Sequence, residues 1–177
     1  PSGGSSSGSS LAVALGVSSF SLGTDTAGSG RVPAALNNLV GTKASKGLIS
    51  TAGVVPACRT QDCVSLFTAT AREASQLLAL VARLDPRDEY SRRNPAWNDA
   101  TAFGAPRPFR FGVPRAEDLE FFGCIQGPLL FSDAIDHLTA LGGEAVTIDL
   151  SPFLEAASLL YDGPWVAERY SVAGQLM

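Results

Sequence analysis

Hydrophobic and polar positions alternate in two rhythms along this chain. Where apolar residues recur every three or four positions, a helix with one buried stripe is expected; where they run together briefly between turn residues, a buried strand is expected. Residues 6–16 read as a helix, with serines available to cap its first turn and Leu11, Ala12, Ala14 and Leu15 on its apolar side. Residues 17–22 read as a short buried strand, and residues 27–36 as a turn followed by a short helix in which Pro33 is tolerated only near the start. Residues 39–42 form a candidate strand, and 53–65 a loop entering an apolar segment. Residues 71–84 are amphipathic, with Ala74, Leu77, Leu78 and Val81 on one stripe. The proline-rich, mixed-charge stretch 85–108 reads as a long surface loop pinned by Trp97. Beyond it come a strand at 109–113, a helix at 127–141 with Leu130, Ala134, Leu138 and Leu141 on one face, and a strand at 145–150. Strand, helix, strand in that order predicts a parallel pair with a right-handed crossover.

One stretch departs from both rhythms. From Gly3 to Pro33, two Gly/Ser-rich segments, GGSSSGSS and GTDTAGSG, enclose the apolar run LAVALGVSSFSL. A flexible linker would not carry such a run. A phosphate-binding Walker loop is disfavoured as well, since neither segment has the required lysine in place. Glycines bend the chain tightly and allow several backbone N–H groups to converge, and convergent N–H donors are what the oxyanion of acyl transfer needs. Ser29, set in Thr26-Ala27-Gly28-Ser29-Gly30-Arg31, is the candidate nucleophile. A serine hydroxyl reacts only when a base takes its proton. The one histidine, His137, lies in the helical stretch 127–141, so a Ser-His-Asp triad through it is the weaker reading, and a surface or packing role the stronger.

These motifs closely resemble the amidase signature family, carried by GGSSSGS at Gly3 to Ser9 and GTDTAGSGRVPAA at Gly23 to Ala35. The resemblance implies a Ser–cis-Ser–Lys triad in which Ser29 is the nucleophile and Ser5 the cis-serine, at the family's spacing. It also implies an oxyanion hole built from the backbone of Thr26, Ala27 and Gly28 together with Ser29. Asp25 and Arg31 are expected to form an ion pair that braces the loop. The family's lysine lies upstream of its cis-serine, so the chain is expected to be an internal part of an amidase signature domain, inactive when isolated. Lys43 and Lys46 can each be nominated as a base for Ser5, but a structural or surface role is the stronger reading for both.

Two further stretches, 53–65 and 160–170, resemble allophanate hydrolases within that family. In those enzymes a tyrosine and an arginine bind the substrate's carboxylate end and amide, and Tyr161 and Arg169 match them. Arginine suits that task because its planar guanidinium grips a carboxylate through two parallel hydrogen bonds. Without the resemblance, Glu168 and Arg169 would read as exposed helix charges, with Tyr161 and Trp165 packing.

The implied fold is α/β, a mixed β-sheet flanked by helices on both faces. The implied reaction is hydrolysis of a small amide, with allophanate the favoured substrate and malonamate, biuret or an aryl amide as alternatives. No metal or organic cofactor is expected; the partners are a small-molecule amide and, through the product it would supply, a urea carboxylase. A homodimer stays open.

Composition is consistent with this and excludes other classes. The 177 residues are 45% hydrophobic and 17% charged, the balance of a globular chain rather than a disordered one. A net charge of −4 leaves no basic footprint for nucleic acid. No apolar run approaches the roughly 18 residues of a membrane span, and a cytoplasmic location is expected. Cys58, Cys63 and Cys124 lack metal-site spacing and read as buried free thiols rather than as a Cys58–Cys63 disulfide.

Overall fold

The structure is a computed structural model that describes residues 1–96, 98, 104 and 108–174. The chain divides into two compact units, residues 1–103 with 165–177, and residues 104–164. Both combine helices with strands, so the α/β class holds.

The first unit is built on a three-stranded antiparallel sheet in the order β1-β3-β2, with β1 at Ser21–Thr24, β2 at Val40–Lys43 and β3 at Val64–Thr68. Ser65, Leu66, Phe67 and Thr68 of the central strand are all buried. Successive strand residues point to opposite faces, so this unbroken burial means that both faces of β3 are covered. On one face, Phe67 packs with Val13 of helix α1 (Ser7–Ala14) and Ala34 of helix α2 (Arg31–Leu36). Helix α3 (Ala71–Val81) opens on a capping box: the Thr70 hydroxyl accepts from the Glu73 amide while the Glu73 carboxylate accepts from the Thr70 amide. Its predicted stripe is the side that packs, with Ala74 buried and Leu77, Leu78 and Val81 half-buried.

The expected strand at 17–22 lies later in the chain. The amides of Val17 and Ser18 both return to the Ala12 carbonyl, closing the end of α1, and pairing with β3 begins only at Ser21. The serines of the first segment also act differently from caps. Ser6 sits at the start of α1 without a side-chain cap bond; its hydroxyl donates to the Thr24 carbonyl at 3.2 Å. Ser9 donates to Leu22 O at 2.7 Å, and Ser10 to Pro33 O at 2.9 Å. The serine-rich segment is thus a seam of short hydroxyls stitching α1 to β1 and α2. Larger side chains would not fit: a Cβ on Gly23 would lie 2.7 Å from Ser6 Cβ.

Residues 85–92 of the long loop are fixed by polar bonds. The Asp88 carboxylate accepts from the Thr51 amide at 2.7 Å and the Tyr90 amide at 2.9 Å, and the Arg92 amide donates to Gly47 O. Trp97 lies outside the described residues.

In the second unit, β4 (Phe109–Pro114) and β5 (Gly143–Ile148) pair in parallel, connected through helix α4 (Gly127–Ala140), as strand–helix–strand order requires. The face expected to be apolar on α4 is exposed, Leu130 at 63% and Leu141 at 75%; Phe131 and Ile135 are the half-buried residues, Phe131 against the edge of Phe121. Helix α5 (Ser151–Asp162) follows β5, and α6 (Trp165–Ala173) belongs to the first unit. Arg115, just after β4, is bonded to Asp118 and to Asp149, which follows β5. No described helix is long and apolar enough to cross a membrane.

Candidate functional site

The loop from β1 to α2 is organised around one carboxylate. Asp25 is fully buried, and accepts from the amides of Gly28 at 2.7 Å, Gly30 at 3.2 Å and Arg31 at 3.0 Å. The Arg31 guanidinium closes the arrangement with two parallel bonds, Nε at 2.9 Å and Nη2 at 3.0 Å, and Lys43 Nζ stands 3.5 Å away. Burial works against the charged form of Asp25, but the Arg31 side chain and the amides of Arg31 and Gly28 outweigh it and hold the carboxyl well below its ordinary range. The expected Asp25–Arg31 brace is present. Its reach is wider than the sequence suggests, because the same carboxylate also folds the backbone of residues 28–31 around itself.

That geometry modifies one expectation. The Gly28 N–H, expected among the oxyanion donors, points to Asp25; Gly28 has a φ of +126°, which a side chain would rarely allow. Gly28 therefore serves as the bend of the loop. Among the described residues, the amides of Thr26, Ala27 and Ser29 donate to no protein group.

Ser29 and Ser5 belong to segments that touch. The Ser6 amide donates to the Ser29 carbonyl at 3.2 Å, and the Gly4–Ser5 peptide is cis. Ser5 is exposed and Ser29 half-buried, so both are open to a small molecule. The contact depends on close packing: a Cβ on Gly30 would lie 2.5 Å from Ser65 Cβ, and one on Gly3 would lie 2.8 Å from Pro33 Cα. Ser65 Oγ is buried with no bonding partner among the described residues.

Lys43 and Lys46 hold main chain. Lys43 Nζ donates to Thr26 O at 3.0 Å. Lys46 Nζ donates to Arg59 O at 2.6 Å and Asp62 O at 2.9 Å, and lies 4.3 Å from the centre of the Tyr90 ring. Sequence reasoning missed Asp62. Its buried carboxylate takes the Thr26 hydroxyl and the amides of Ala57 and Cys58. The only sequence signal is an acidic residue two positions before β3. A cavity of about 440 Å³ includes Asp62, Arg59 and Tyr90 in its walls but neither Ser5 nor Ser29.

All three cysteines are free. Burial pushes the Cys58 and Cys63 thiols up, away from the thiolate form. Cys124 departs from expectation in being exposed. His137 is exposed on α4, with Nδ1 at 2.7 Å from Asp133 O. Arg169 is half-buried on α6 in the first unit, and Tyr161 is exposed in the last turn of α5 in the second. Glu168, next to Arg169, is bonded rather than freely solvated. It accepts from the Thr60 amide at 2.8 Å, the Thr60 hydroxyl at 2.6 Å and Cys58 Sγ at 3.3 Å, and the Thr60 bonds in particular lower its carboxyl.

The chain is similar to known proteins. The chain is 47% identical over 170 residues to a urea amidolyase of Lachancea kluyveri, covering 96% of this chain and 9% of that protein. It is 45% identical over 153 residues to an indoleacetamide hydrolase of Pseudomonas savastanoi, covering 86% and 30% of the two chains. Allophanate hydrolase of Kluyveromyces lactis superposes with a TM-score of 0.87 at 42% identity, covering 98% of this chain and 28% of that one. The chain therefore spans less than a third of the length of each of these relatives. The profile of the family named Amidase matches residues 1–176, and the chain belongs to that family.

Proposed function

We propose that this chain carries the nucleophile and oxyanion loop of an enzyme that hydrolyses allophanate, releasing ammonia. The observation behind this reading is the main-chain contact between the Ser5–Ser6 segment and Ser29, beside three amides that make no other bond. In the proposed reaction, a neutral lysine from outside these residues draws a proton from Ser5 as Ser5 takes one from Ser29. Ser29 Oγ attacks the amide carbonyl, and the N–H groups of Thr26, Ala27 and Ser29 hold the resulting oxyanion. As the tetrahedral intermediate collapses, the carbon–nitrogen bond breaks and Ser5 hands a proton to the departing ammonia. Water then cleaves the acyl-serine by the same route in reverse. Arg169 holds the carboxylate end of the substrate through a charge-assisted bidentate contact. Similarity to urea amidolyases supports this substrate, and an enzyme that carboxylates urea is the class that would supply it.

Similarity to an indoleacetamide hydrolase favours a second reading, in which the substrate is an uncharged aryl amide. Kinetics of the full-length protein separate the two. Ser29→Ala is expected to abolish both turnover and labelling by a fluorophosphonate probe. Arg169→Ala is expected to raise KM for allophanate by about 100-fold while sparing a neutral amide, since it removes a charge-assisted bidentate contact. Equal losses on the two substrates would favour the aryl amide. Labelling that survives Ser29→Ala would refute the nucleophile.

A further inference from the structure

The turn at residues 57–62 is bonded from two directions. On one side, the Asp62 carboxylate accepts from the Ala57 amide at 3.0 Å, the Cys58 amide at 3.1 Å and the Thr26 hydroxyl, and Lys46 clamps the turn's carbonyls. On the other, Glu168 of α6 accepts from both Thr60 donors and from Cys58 Sγ. Cys58, in the middle, is fully buried and bonded from both sides. One short turn is therefore tied both to the loop that carries Ser29 and to the helix that carries Arg169.

We infer that this turn is a shared positioning element, in which Asp62 sets the place of the Thr26–Ser29 backbone and Glu168 sets the place of helix α6 and, through its backbone, of Arg169. The inference rests on the roles proposed above for Ser29 and Arg169. Its physical basis is tolerance. Amide donors act on a developing oxyanion only within hydrogen-bond distance, and a displacement of about 1 Å can cost on the order of 100-fold in rate. Bonds from a carboxylate to N–H and O–H groups are charge-assisted and about twice as strong as neutral ones, and here they fix a backbone that otherwise has only loop structure. The two carboxylates act on different steps. Thr26 belongs to the cradle that stabilises the transition state, so Asp62 should act on kcat. Arg169 belongs to ground-state binding of the carboxylate, so Glu168 should act on KM and only for anionic substrates.

The test uses the full-length protein with allophanate and a neutral amide, together with amide hydrogen exchange. Asp62→Asn is expected to lower kcat about tenfold on both substrates with KM within about twofold, the effect of one displaced charged hydrogen bond. Glu168→Ala is expected to raise KM for allophanate about tenfold, leave kcat and the neutral amide unchanged, and be largely rescued by Glu168→Gln, which keeps an acceptor oxygen. If Glu168→Ala fails to fold, Thr60→Val removes one hydroxyl and carries the same expectation. Equal losses on both substrates from Glu168→Ala, or an Asp62→Asn variant that changes KM alone, would overturn the inference. If the wild type hydrolyses only the neutral amide, the substrate reading fails while the Asp62 arm still decides the turn's role in kcat. If it hydrolyses no amide, exchange decides. Faster exchange at residues 24–31 as well as 57–58 in Asp62→Asn, and at 165–172 as well as Thr60 in Glu168→Ala, supports the turn, and exchange that rises only at 57–60 or nowhere overturns it.

Discussion

Asp25 shows how one residue can fix a loop. Its carboxylate takes three amides and a guanidinium, so its charge is held by hydrogen bonds that exist only in the folded chain. Its carboxyl is held below the value it has when unfolded, so the folded state binds fewer protons in acid than the unfolded state. This stabilisation is fully present above the unfolded value of about 4 and is lost as pH falls toward the depressed folded value. Asp25→Asn is expected to destabilise the protein by about 1–3 kcal/mol at neutral pH, because it weakens the acceptor to which the buried Gly28 and Gly30 amides donate. It should also flatten the fall in stability below pH of about 4, which urea unfolding across an acid pH series would show. A variant with the wild-type acid slope would mean that other carboxylates set that slope. The Asp25–Arg31 pair was expected from the family resemblance, which places an acid and an arginine at these positions. The three amides were not legible, because backbone donors carry no sequence signature.

At the scale of elements, close contact is set by glycines that the strands and helices cannot replace. Gly30 begins α2 against β3, where a Cβ would lie 2.5 Å from Ser65 Cβ. Gly30→Ala is expected to cost about 1–3 kcal/mol, the usual penalty of overpacking. The double variant with Ser65→Gly should recover most of that loss in thermal denaturation, whereas additive losses would point to backbone strain rather than a clash. The helix stripe of α3 was legible, since a period of 3.6 is a local signal, although the helix stops at Val81 rather than at 84. The strand expected at 17–22 was displaced because apolar content alone cannot say where a helix end stops using backbone amides and a ladder starts. Similarly, α4 turns Phe131 and Ile135 inward rather than the larger leucine set, a choice made by the neighbouring Phe121 rather than by periodicity.

At the scale of the whole molecule, the two units differ in the pairing of their strands. Central β3 is paired on both edges and buried on both faces, while β4 and β5 form a two-stranded parallel pair. Two-stranded sheets are marginal in water, and local opening follows the density of buried contacts. Amides of β3 are expected to exchange most slowly in the chain, and those of β4 and β5 at least about tenfold faster, by hydrogen exchange of residues 1–177. Uniform protection across both units would mean that they open together.

The sequence by itself determined the Gly/Ser-rich character of the loop segments, the stripe of α3 and the strand–helix–strand order at 109–148, because each is written in nearby residues or in a period that local sterics impose. Tertiary structure alone decided that the Gly28 amide bonds Asp25, that Asp62 reaches Thr26, and that Glu168 reaches Thr60. Those contacts join residues far apart in the chain through hydrogen bonds to specific atoms, and such bonds depend on where folding brings the backbone, which no local pattern of side chains specifies.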